Sequence, residues 1–534
     1  MKLLVSLLLV LLALPAQAAK IETGDPALDP IFETLLGRDF QAKEQALREL
    51  VASGHPERYR WIEGILDGRL RVLKKQKRLV WVEKDGKRFR AVDAVTGEAL
   101  GEFKKRKLKK FTINNTLRRS IRALLATRDL DSPDPQARRR AVEAMLQDPS
   151  PAQLALLRPR MEKETDPGVR QAMQLVVALA QLQSDDETAR LQAIAAVEDS
   201  LEPPIRQALT RLAAGDPSPK VRKAAAAALR KIEDRVRLMG HIETLFFGLS
   251  LGSVLVLAAI GLAITFGVMG VINMAHGELI MLGAYTTYLI QQLMPGSPGV
   301  ALLLSIPAAF LVSGLVGIAI ERGIIRFLYG RPLETLLATF GVSLILQQAV
   351  RTLISPQNVP VTNPDFMSGQ LYINSVLSLT YNRLYIILFC MLVFAGLFLV
   401  LKRTRLGLEV RAVAQNRAMA RAMGVHAARV DALTFGLGSG IAGIAGVALS
   451  QLTNVGPNLG QQYIVDSFMV VVFGGVGNLW GTLIGGLGLG IANKVMEPWA
   501  GAVMAKILIL VFVILFIQKR PRGLFPQKGR AAEG

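Results

Sequence analysis

Four polar side chains interrupt an otherwise apolar stretch and could bind a polar solute or a neighbouring helix. Thr335, Thr339, Ser343 and Gln347 recur every four residues. On a helix of about 3.6 residues per turn, each step turns by only about 40°, so the four form one slowly drifting stripe. Polar groups that face lipid are costly, and the stripe must therefore face protein or water. It either bonds to a neighbouring helix or offers a neutral lining to a solute path.

A second polar group begins another apolar stretch, where Asn273, His276 and Glu278 flank Gly277. A carboxylate at membrane depth is expensive, so we expect Glu278 to pair, to line a cavity or to lie near the cytoplasmic surface. A histidine and a glutamate two residues apart share a helix face poorly, and no HExxH or cysteine spacing accompanies them. We therefore predict neither a metal site nor a catalytic acid, and keep these residues as candidates for a translocation path.

Glycines mark a third candidate element of that path. Gly474, Gly475 and Gly477 occupy three of four positions and are followed by Asn478. So many glycines weaken a helix and can expose backbone groups to a cavity, which would suit a moving or ligand-lining element. Other small residues recur every four positions and predict close helix packing only: Gly438, Ala442, Gly446, Gly481 and Gly485.

Motifs for ATP hydrolysis and covalent catalysis are absent from the 534 residues. There is no G-x-x-x-x-G-K-[ST] phosphate loop and no nucleophile-elbow motif, and the chain has only four histidines. The single cysteine, Cys390, lies in an apolar run and supports neither a disulfide framework nor a cysteine metal cluster. We predict a transport subunit rather than an enzyme, with no cofactor, whose energy comes from a partner.

The basic segment, residues 402–431, separates two long apolar runs. It carries seven basic residues and one internal acid, Glu409, so the positive-inside rule places it in the cytoplasm. From Glu409 to Met423 it is rich in Ala, Arg and Met without proline, and Gly424 follows where a helix would end. The pattern predicts one short helix across the cytoplasmic mouth of a membrane bundle. An ordinary basic loop that only fixes topology is the alternative.

Charge divides the chain into a soluble and a membrane part. Residues 20–240 are dense in Lys, Arg, Asp and Glu, whereas residues 243–520 hold long uncharged runs. Because 51% of all residues are hydrophobic, a purely soluble protein is not expected. The net charge of +21 would suggest nucleic acid binding in a soluble protein, but here it indicates topology and contact with anionic membrane lipid. We predict an all-α polytopic bundle of eight or nine spans that ends in the cytoplasm. The candidate spans are residues 243–267, 271–293, 299–320, 333–354, 384–401, 432–452, 463–477, 481–496 and 503–518.

The chain before the bundle is predicted to be exported. Residues 1–18 have the positive start, apolar run and Ala16-Gln-Ala18 end of a cleaved signal peptide, with an uncleaved anchor as the alternative. Residues 19–240 would then form a periplasmic domain, 241–525 the membrane domain and 526–534 a cytoplasmic tail. Between helical segments, Asp85-Gly86 separates two strand-like runs and predicts a small β-hairpin insert near residues 71–111. The basic run at 104–110 is expected to be a solvated edge or a contact for anionic headgroups.

Most of the exported part has a repeated helical pattern. Arg138 and Arg170 are 32 residues apart, as are Arg190 and Arg222, and each opens an alanine-rich helix. Acid-proline pairs, Asp134-Pro135, Asp166-Pro167 and Asp216-Pro217, precede three of these helices and predict an N-cap followed by a first-turn proline. The spacing resembles that of HEAT-type repeats, whose helix pairs stack to bury their apolar faces. Such a domain is either a binding surface or a spacer.

Four segments carry a resemblance to a known family. They are NMAHGELIMLGAY at 273–285, TFGVSLILQ at 339–347, RLGLEVRAVAQN at 405–416 followed by AMA and MGV, and FGGVGNLWGTLIGG at 473–486. Together they resemble the permeases of branched-chain amino acid ABC importers, over roughly residues 242–525. The family's coupling loop docks on a separate ATPase subunit. On that resemblance the coupling residues are Arg405, Gly407, Glu409, Arg411, Ala412, Asn416, Ala420 and Gly424.

The resemblance also implies partners and a substrate class. The expected partners are a second permease subunit, two cytoplasmic ABC ATPases and a periplasmic solute-binding protein, and no nucleic acid. A family permease preceded by a long exported domain resembles the B-subunit permeases of urea importers. Urea is neutral, with one acceptor oxygen and four N–H donors, and a path of Thr, Ser, Asn and Gln is compatible with it. Branched-chain amino acids or short amides are the alternative.

Two alternative functions do not involve an ATP-driven importer. In the first, the bundle is a passive channel for small polar solutes and the exported domain is its lid or adaptor. In the second, the bundle only anchors an exported scaffold. Transport that requires ATP would exclude the passive channel, and any solute flux would exclude the scaffold.

Overall fold

The structure is a computed structural model that describes residues 27–85, 88–146, 149 and 151–525. The predicted signal peptide and the predicted tail at 526–534 lie outside these residues. The chain divides into two compact units, Met1–Glu233 and Asp234–Gly534. Each unit is described by itself below.

The first unit opens with three helices and a sheet. The helices are α1 (Asp29–Leu36), α2 (Phe40–Ala52) and α3 (Arg58–Asp67), and the strands are β1 (Leu70–Leu73), β2 (Leu79–Asp85), β3 (Arg88–Asp93), β4 (Ala99–Phe103) and β5 (Leu108–Lys110). The antiparallel strands are ordered β4-β3-β2-β1-β5. Phe32, Trp61 and Phe111 are buried in the core that joins these helices to the sheet.

The predicted β-hairpin insert is therefore too small. The pairing of β2 with β3 is as expected, while Gly86 of the predicted turn lies outside the described residues. The sequence missed β1 and β5 because both are short and flanked by lysines. Strand β5 pairs with β1 at one edge of the sheet, and Lys109 and Lys110 on it are exposed. The expected solvated basic edge is thus a strand of the sheet.

Helices make up the rest of the first unit. They are α4 (Asn115–Asp129), α5 (Pro135–Met145), α6 (Pro151–Lys163), α7 (Pro167–Gln181), α8 (Glu187–Val197), α9 (Pro203–Gly215) and the start of α10 (Pro219–Met269). Asp134 and Asp166 cap α5 and α7, and a proline follows each of them at the first helical position. The third predicted cap is wrong. Helix α10 begins at Pro219, and Asp216 instead accepts a hydrogen bond from Ser218 N and pairs with Arg190.

The repeated arginines have a common role in this unit. Each reaches back six residues to a backbone carbonyl, as Arg138 does to Ser132 O and Arg190 to Ser184 O, both over 2.8 Å. Arg138 and Arg190 also pair with an acid 26 residues further on, at 2.7 Å and 2.9 Å. The hydrogen bond from Arg138 keeps the pKa of the Glu164 carboxylate below its usual range. The same arginine-to-carbonyl contact therefore recurs at four positions of this unit.

The second unit is a bundle of helices. After α10 come α11 (His276–Leu293), α12 (Pro298–Gly323), α13 (Pro332–Leu353), α14 (Tyr381–Arg403), α15 (Arg405–Gln415), α16 (Arg417–Ala422), α17 (Ala427–Ser450), α18 (Leu459–Gly474), α19 (Leu479–Ala500) and α20 (Ala502–Lys519). A two-stranded hairpin, β6 (Gln370–Tyr372) with β7 (Ser378–Thr380), precedes α14.

Six helices of the described chain are long and apolar enough to cross a membrane. They are α10, α12 extended to Phe327, α13, α14, α17 and α20. Helix α18 is apolar but has only 16 residues. Neither α11 nor α19 meets the same measure of length and hydropathy, so the predicted count of eight or nine spans is not confirmed. The unit is consistent with a multi-pass membrane protein.

Small residues let the helices at the centre of the bundle touch. A Cβ at Gly283 of α11 would lie 2.0 Å from Gly443 O of α17, and one at Gly446 would lie 2.0 Å from Ile280 O. A Cβ at Gly438 would lie 2.6 Å from Gly261 O of α10. Contacts this short leave no space for a side chain, which agrees with the packing role predicted for the small residues of α17.

Candidate functional site

The first part of the candidate site is the start of α11. Helix α10 ends at Met269, Gly270 has φ of +67°, and residues 271–275 are not helical. Asn273 Oδ1 accepts a hydrogen bond from Ala275 N over 3.0 Å, and Met274 N donates to Thr339 Oγ1 of α13 over 3.1 Å. Helix α13 therefore supplies a cap to the turn that sets the position of the first residues of α11.

Glu278 connects this turn to the polar stripe of α13. Its carboxylate is buried, and its Oε1 accepts hydrogen bonds from Ser343 Oγ over 2.9 Å and Gln347 Nε2 over 2.7 Å. Because both donors are neutral, they stabilise the carboxylate without cancelling its charge. The structure thus unites two groups of residues that the sequence predicted separately.

Three atoms of the same turn have no hydrogen-bond partner among the described residues. They are Glu278 Oε2, Asn273 Nδ2 and His276 Nδ1. The other ring nitrogen of His276 lies 2.9 Å from Ala258 O, and since a carbonyl only accepts, that nitrogen carries the proton and Nδ1 is an acceptor. Buried polar atoms are costly when unpaired, and the turn holds one such donor group and two such acceptors. We call Asn273, His276, Glu278, Ser343 and Gln347 the polar cluster.

The polar stripe itself has two different halves. Thr335 donates to Arg331 O and Thr339 to Thr335 O, four residues back on their own helix in each case. Ser343 and Gln347 instead bond to Glu278. All four side chains are buried inside this chain. The expected hydrogen bonding to a neighbouring helix therefore applies to the second half, while Thr339 contributes as an acceptor for Met274 N.

The glycine-rich element is not part of the polar cluster. Helix α18 ends at Gly474, and Gly475 and Gly477 have positive φ of 106° and 77°, so the predicted helix break is present. The C-terminal residues pack on this break, with Phe525 N donating to Gly474 O over 3.1 Å and Asn478 Nδ2 donating to Phe525 O over 3.1 Å. Asn478 also caps α19. These residues therefore form a packed junction rather than an extension of the polar cluster.

The basic segment contains two short helices instead of the one predicted. Helix α15 ends at Gln415, and Asn416 caps α16 by accepting a hydrogen bond from Met419 N over 2.9 Å. The extended backbone of Asn416, with ψ of 99°, interrupts the helix. Composition favoured helix throughout but could not show that one asparagine would prefer the capping position. Gly424 has φ of +88° and follows α16, as its predicted role in ending the helix requires.

Each of the two helices is anchored near its start. Thr404 caps α15, a Cβ on Gly407 would lie 2.0 Å from Leu401 O, and Arg411 donates to the same carbonyl. At the first residue of α16, Arg417 pairs with the fully buried Asp431 of α17. The Arg417 guanidinium also lies 4.5 Å from the centre of the Tyr329 ring.

A second buried acid lies beside the Arg417 pair. Tyr329 donates from its hydroxyl to Glu321 Oε1 over 3.3 Å, and Glu321 is only 1% exposed. Burial and the adjacent carboxylates raise the pKa of the Tyr329 hydroxyl, so it stays protonated and able to donate. Arg417 therefore pairs with Asp431, while Glu321 accepts from Tyr329 and pairs with Arg322 over 3.7 Å.

The outer surface of the basic segment combines charge with large apolar side chains. Leu408, Met419 and Met423 are 62%, 61% and 79% exposed. Of the residues assigned to coupling, Gly407 and Ala420 are buried and Glu409 and Ala412 are half-buried. The exposed members are Arg405, Arg411, Asn416 and Gly424.

Three residues of these sites were missed by the sequence reasoning. Tyr285 is buried two turns after Glu278 on α11, and its hydroxyl has no partner among the described residues. Its spacing of seven residues from Glu278 was an available signal, because such residues share a helix face. Tyr329 and Asp431 gave no comparable signal. Their importance depends on contacts with Arg417 that only the tertiary structure supplies.

The apolar helices, the buried polar cluster and the exposed basic segment together define a polytopic membrane protein. The sequence model of the family described as "Branched-chain amino acid transport system / permease component" matches residues 244–517, more than half of the chain. The chain belongs to this family. Its first unit, Met1–Glu233, lies outside the matched residues.

Curated relatives agree with this assignment. The chain is 32% identical over 293 residues to the high-affinity branched-chain amino acid transport system permease protein BraD of Pseudomonas aeruginosa, covering 53% of this chain and 95% of BraD. It is 31% identical to LivH of Escherichia coli, the permease protein of the corresponding system, covering 53% and 94%. The ribose import permease protein RbsC of Escherichia coli is 26% identical, covering 51% and 84%. No solved structure gave a significant match. These relatives are permease subunits rather than enzymes, as predicted for this chain.

Proposed function

We propose that this chain is the permease subunit of an ATP-driven importer and that it carries urea. In this proposal it works with a second permease subunit, two cytoplasmic ABC ATPases and a periplasmic solute-binding protein. Residues 19–240 are periplasmic and the chain ends in the cytoplasm. The basic segment and the basic residues 519–522 then lie on one side, in accordance with the positive-inside rule.

Energy enters through the basic segment in this proposal. The chain has no phosphate loop of its own, so ATP must be hydrolysed by another subunit. Leu408, Met419 and Met423 form an exposed apolar surface among basic side chains, which is the composition expected of a contact with a partner. The Arg417 pair with Asp431 ties the start of α16, which carries Met419, to α17. Movement of the partner would therefore pass directly into a helix at the centre of the bundle.

The observation that carries the solute assignment is the buried Glu278 carboxylate with one oxygen bonded and the other unpaired. Glu278 Oε2 and His276 Nδ1 are acceptors and Asn273 Nδ2 is a donor, and none of the three has a partner among the described residues. Urea has N–H groups for the acceptors and a carbonyl oxygen for the donor. A small neutral amide can donate to Glu278 Oε2 without bringing a second charge into the membrane interior.

A branched-chain amino acid is the second candidate. The names of BraD and LivH as branched-chain amino acid permeases favour it. Its ammonium group could pair with Glu278 Oε2, but its carboxylate would need a cation or several donors near the same turn. The polar cluster itself contains no arginine or lysine, and Arg351, whose charge acts on Glu278 from one turn after Gln347, already donates to Asn458 Oδ1 over 2.7 Å. We therefore place urea first and treat leucine as the competing substrate.

Uptake into proteoliposomes tests this proposal. The chain is reconstituted with its two ATPases, the second permease and the binding protein, and labelled urea and leucine are measured separately with and without ATP. We expect urea to accumulate only with ATP. Leucine uptake without urea uptake would overturn the substrate assignment, and flux that is indifferent to ATP would favour a passive channel.

A further inference from the structure

A cavity of about 420 Å³ lies beside the basic segment, away from the polar cluster. It is formed where the end of α10, the end of α14 and helix α15 meet the junction between α18 and α19. Its walls are apolar, and two basic side chains stand at its opening. The residues that matter to the argument are Ile264, Val268, Phe398, Leu401, Lys402 and Arg411.

The opening of this cavity lies at the membrane boundary. Helix α14 has 23 residues, and at about 1.5 Å per residue it is long enough to span the hydrocarbon core. Lys402 is its penultimate residue, while Phe398 lies one turn deeper. Trp480 is 51% exposed, and its ring centre is 5.9 Å from that of Phe398. Exposed tryptophan is typical of the headgroup level, so the cavity extends from the headgroups toward the acyl chains.

The two basic residues are available to an anion. The Lys402 ammonium lies over the Phe398 ring, 5.3 Å from its centre, and Arg411 donates one N–H to Leu401 O. Both side chains belong to exposed residues. Neither has an ion-pair partner in the part of the chain that the structure describes. The opening therefore combines two uncompensated cations with an apolar interior.

We propose that this cavity binds one anionic phospholipid. Lys402 and Arg411 hold the phosphate of the headgroup, and an acyl chain lies along Phe398, Leu401 and Ile264. A basic pocket between membrane helices is a favourable environment for such a headgroup. A soluble phosphate would use the cations but leave the apolar wall exposed. The site is independent of the proposed substrate, because none of its residues belongs to the polar cluster.

Quenching of Trp480 fluorescence tests this site in the full-length protein. Trp499, the other tryptophan of the second unit, lies at the opposite end of α19 and is replaced by phenylalanine. The signal of Trp61 and Trp81 in the first unit is subtracted with a Trp480→Phe variant. Nanodiscs carry increasing fractions of brominated phosphatidylglycerol or brominated phosphatidylcholine in a zwitterionic background. We expect the anionic lipid to quench Trp480 at a lower mole fraction. Equal quenching by both lipids would overturn the proposal.

Matched variants separate this site from general attraction to a basic surface. Lys402→Gln with Arg411→Gln should raise the mole fraction for half-maximal quenching roughly tenfold, and Lys402→Gln alone should give part of that shift. Lys519→Gln with Arg520→Gln removes two exposed charges at the end of α20. This control should leave the mole fraction for half-maximal quenching unchanged. An equal shift in this control would contradict the site. Loss of quenching on adding millimolar phosphate or ATP would assign the pocket to a soluble anion instead.

Discussion

Replacing Glu278 with glutamine is expected to lower ATP-dependent solute uptake by roughly 10- to 100-fold, the range expected when a hydrogen bond to a charged group is lost. The amide has nearly the shape of the carboxylate and can still accept from Ser343 and Gln347. It converts the unpaired Oε2 acceptor into a donor, however. The variant therefore keeps the cluster folded while removing the atom that we assign to the solute. Uptake in the reconstituted system measures the effect.

Two further variants distinguish recognition from packing. Gln347→Ala removes one of the two donors to Glu278 and should also reduce uptake. Gln348→Ala, on the next residue of α13, changes an exposed side chain and should have no effect. If Glu278→Gln transported normally, the carboxylate would be a structural group and the solute path would lie elsewhere.

Arg417→Ala is expected to destabilise the chain by about 3 kcal/mol and to uncouple ATP hydrolysis from uptake. Asp431 is fully buried, and removal of its partner leaves an uncompensated charge, which typically costs about 3–5 kcal/mol. We place the effect at the lower end because Arg417 itself is 32% exposed. Thermal unfolding of the purified protein gives the stability, and ATPase activity compared with uptake gives the coupling.

A double variant tests whether the ion pair is the cause. Arg417→Ala combined with Asp431→Asn removes the unpaired charge, and it should recover part of the stability lost in the single variant. Arg421→Ala, four residues further on, replaces an exposed arginine and should change stability little. A large loss of stability in Arg421→Ala, or no loss in Arg417→Ala, would contradict this role of the ion pair. The overall positive charge, rather than the pairing of Arg417 with Asp431, would then hold the basic segment in place.

Local patterns were sufficient to predict many of the helices and their ends. Gly474, Gly475 and Gly477 predicted a helix break, because the conformational freedom of glycine is a local property that needs no tertiary partner. The structure has the break at these residues. Asp134 and Asp166 indicated helix starts for the same reason, since an N-cap acts within three residues. Asn416 was misread because helix propensity and capping competed within one short segment.

Tertiary partners were beyond the reach of the sequence. Glu278 and Ser343 are 65 residues apart, and nothing in either segment fixes which faces of α11 and α13 meet. The pairing of Arg417 with Asp431 likewise depends on how α16 returns to α17. The five-stranded sheet was reduced to a hairpin because β1 and β5 have only four and three residues. In each case the missing information was the position of one element relative to another.

Photocrosslinking from the basic segment tests the central claim most directly. A photoreactive residue is placed at Leu408 or Met419, which are exposed on α15 and α16, and at Trp499, which is 92% exposed on α19, as a control. We predict crosslinks to the ATPase subunit from the first two positions and none from the third. An ATPase that crosslinks only at position 499, or at none of the three, would contradict the account of this chain as a permease driven through its basic segment.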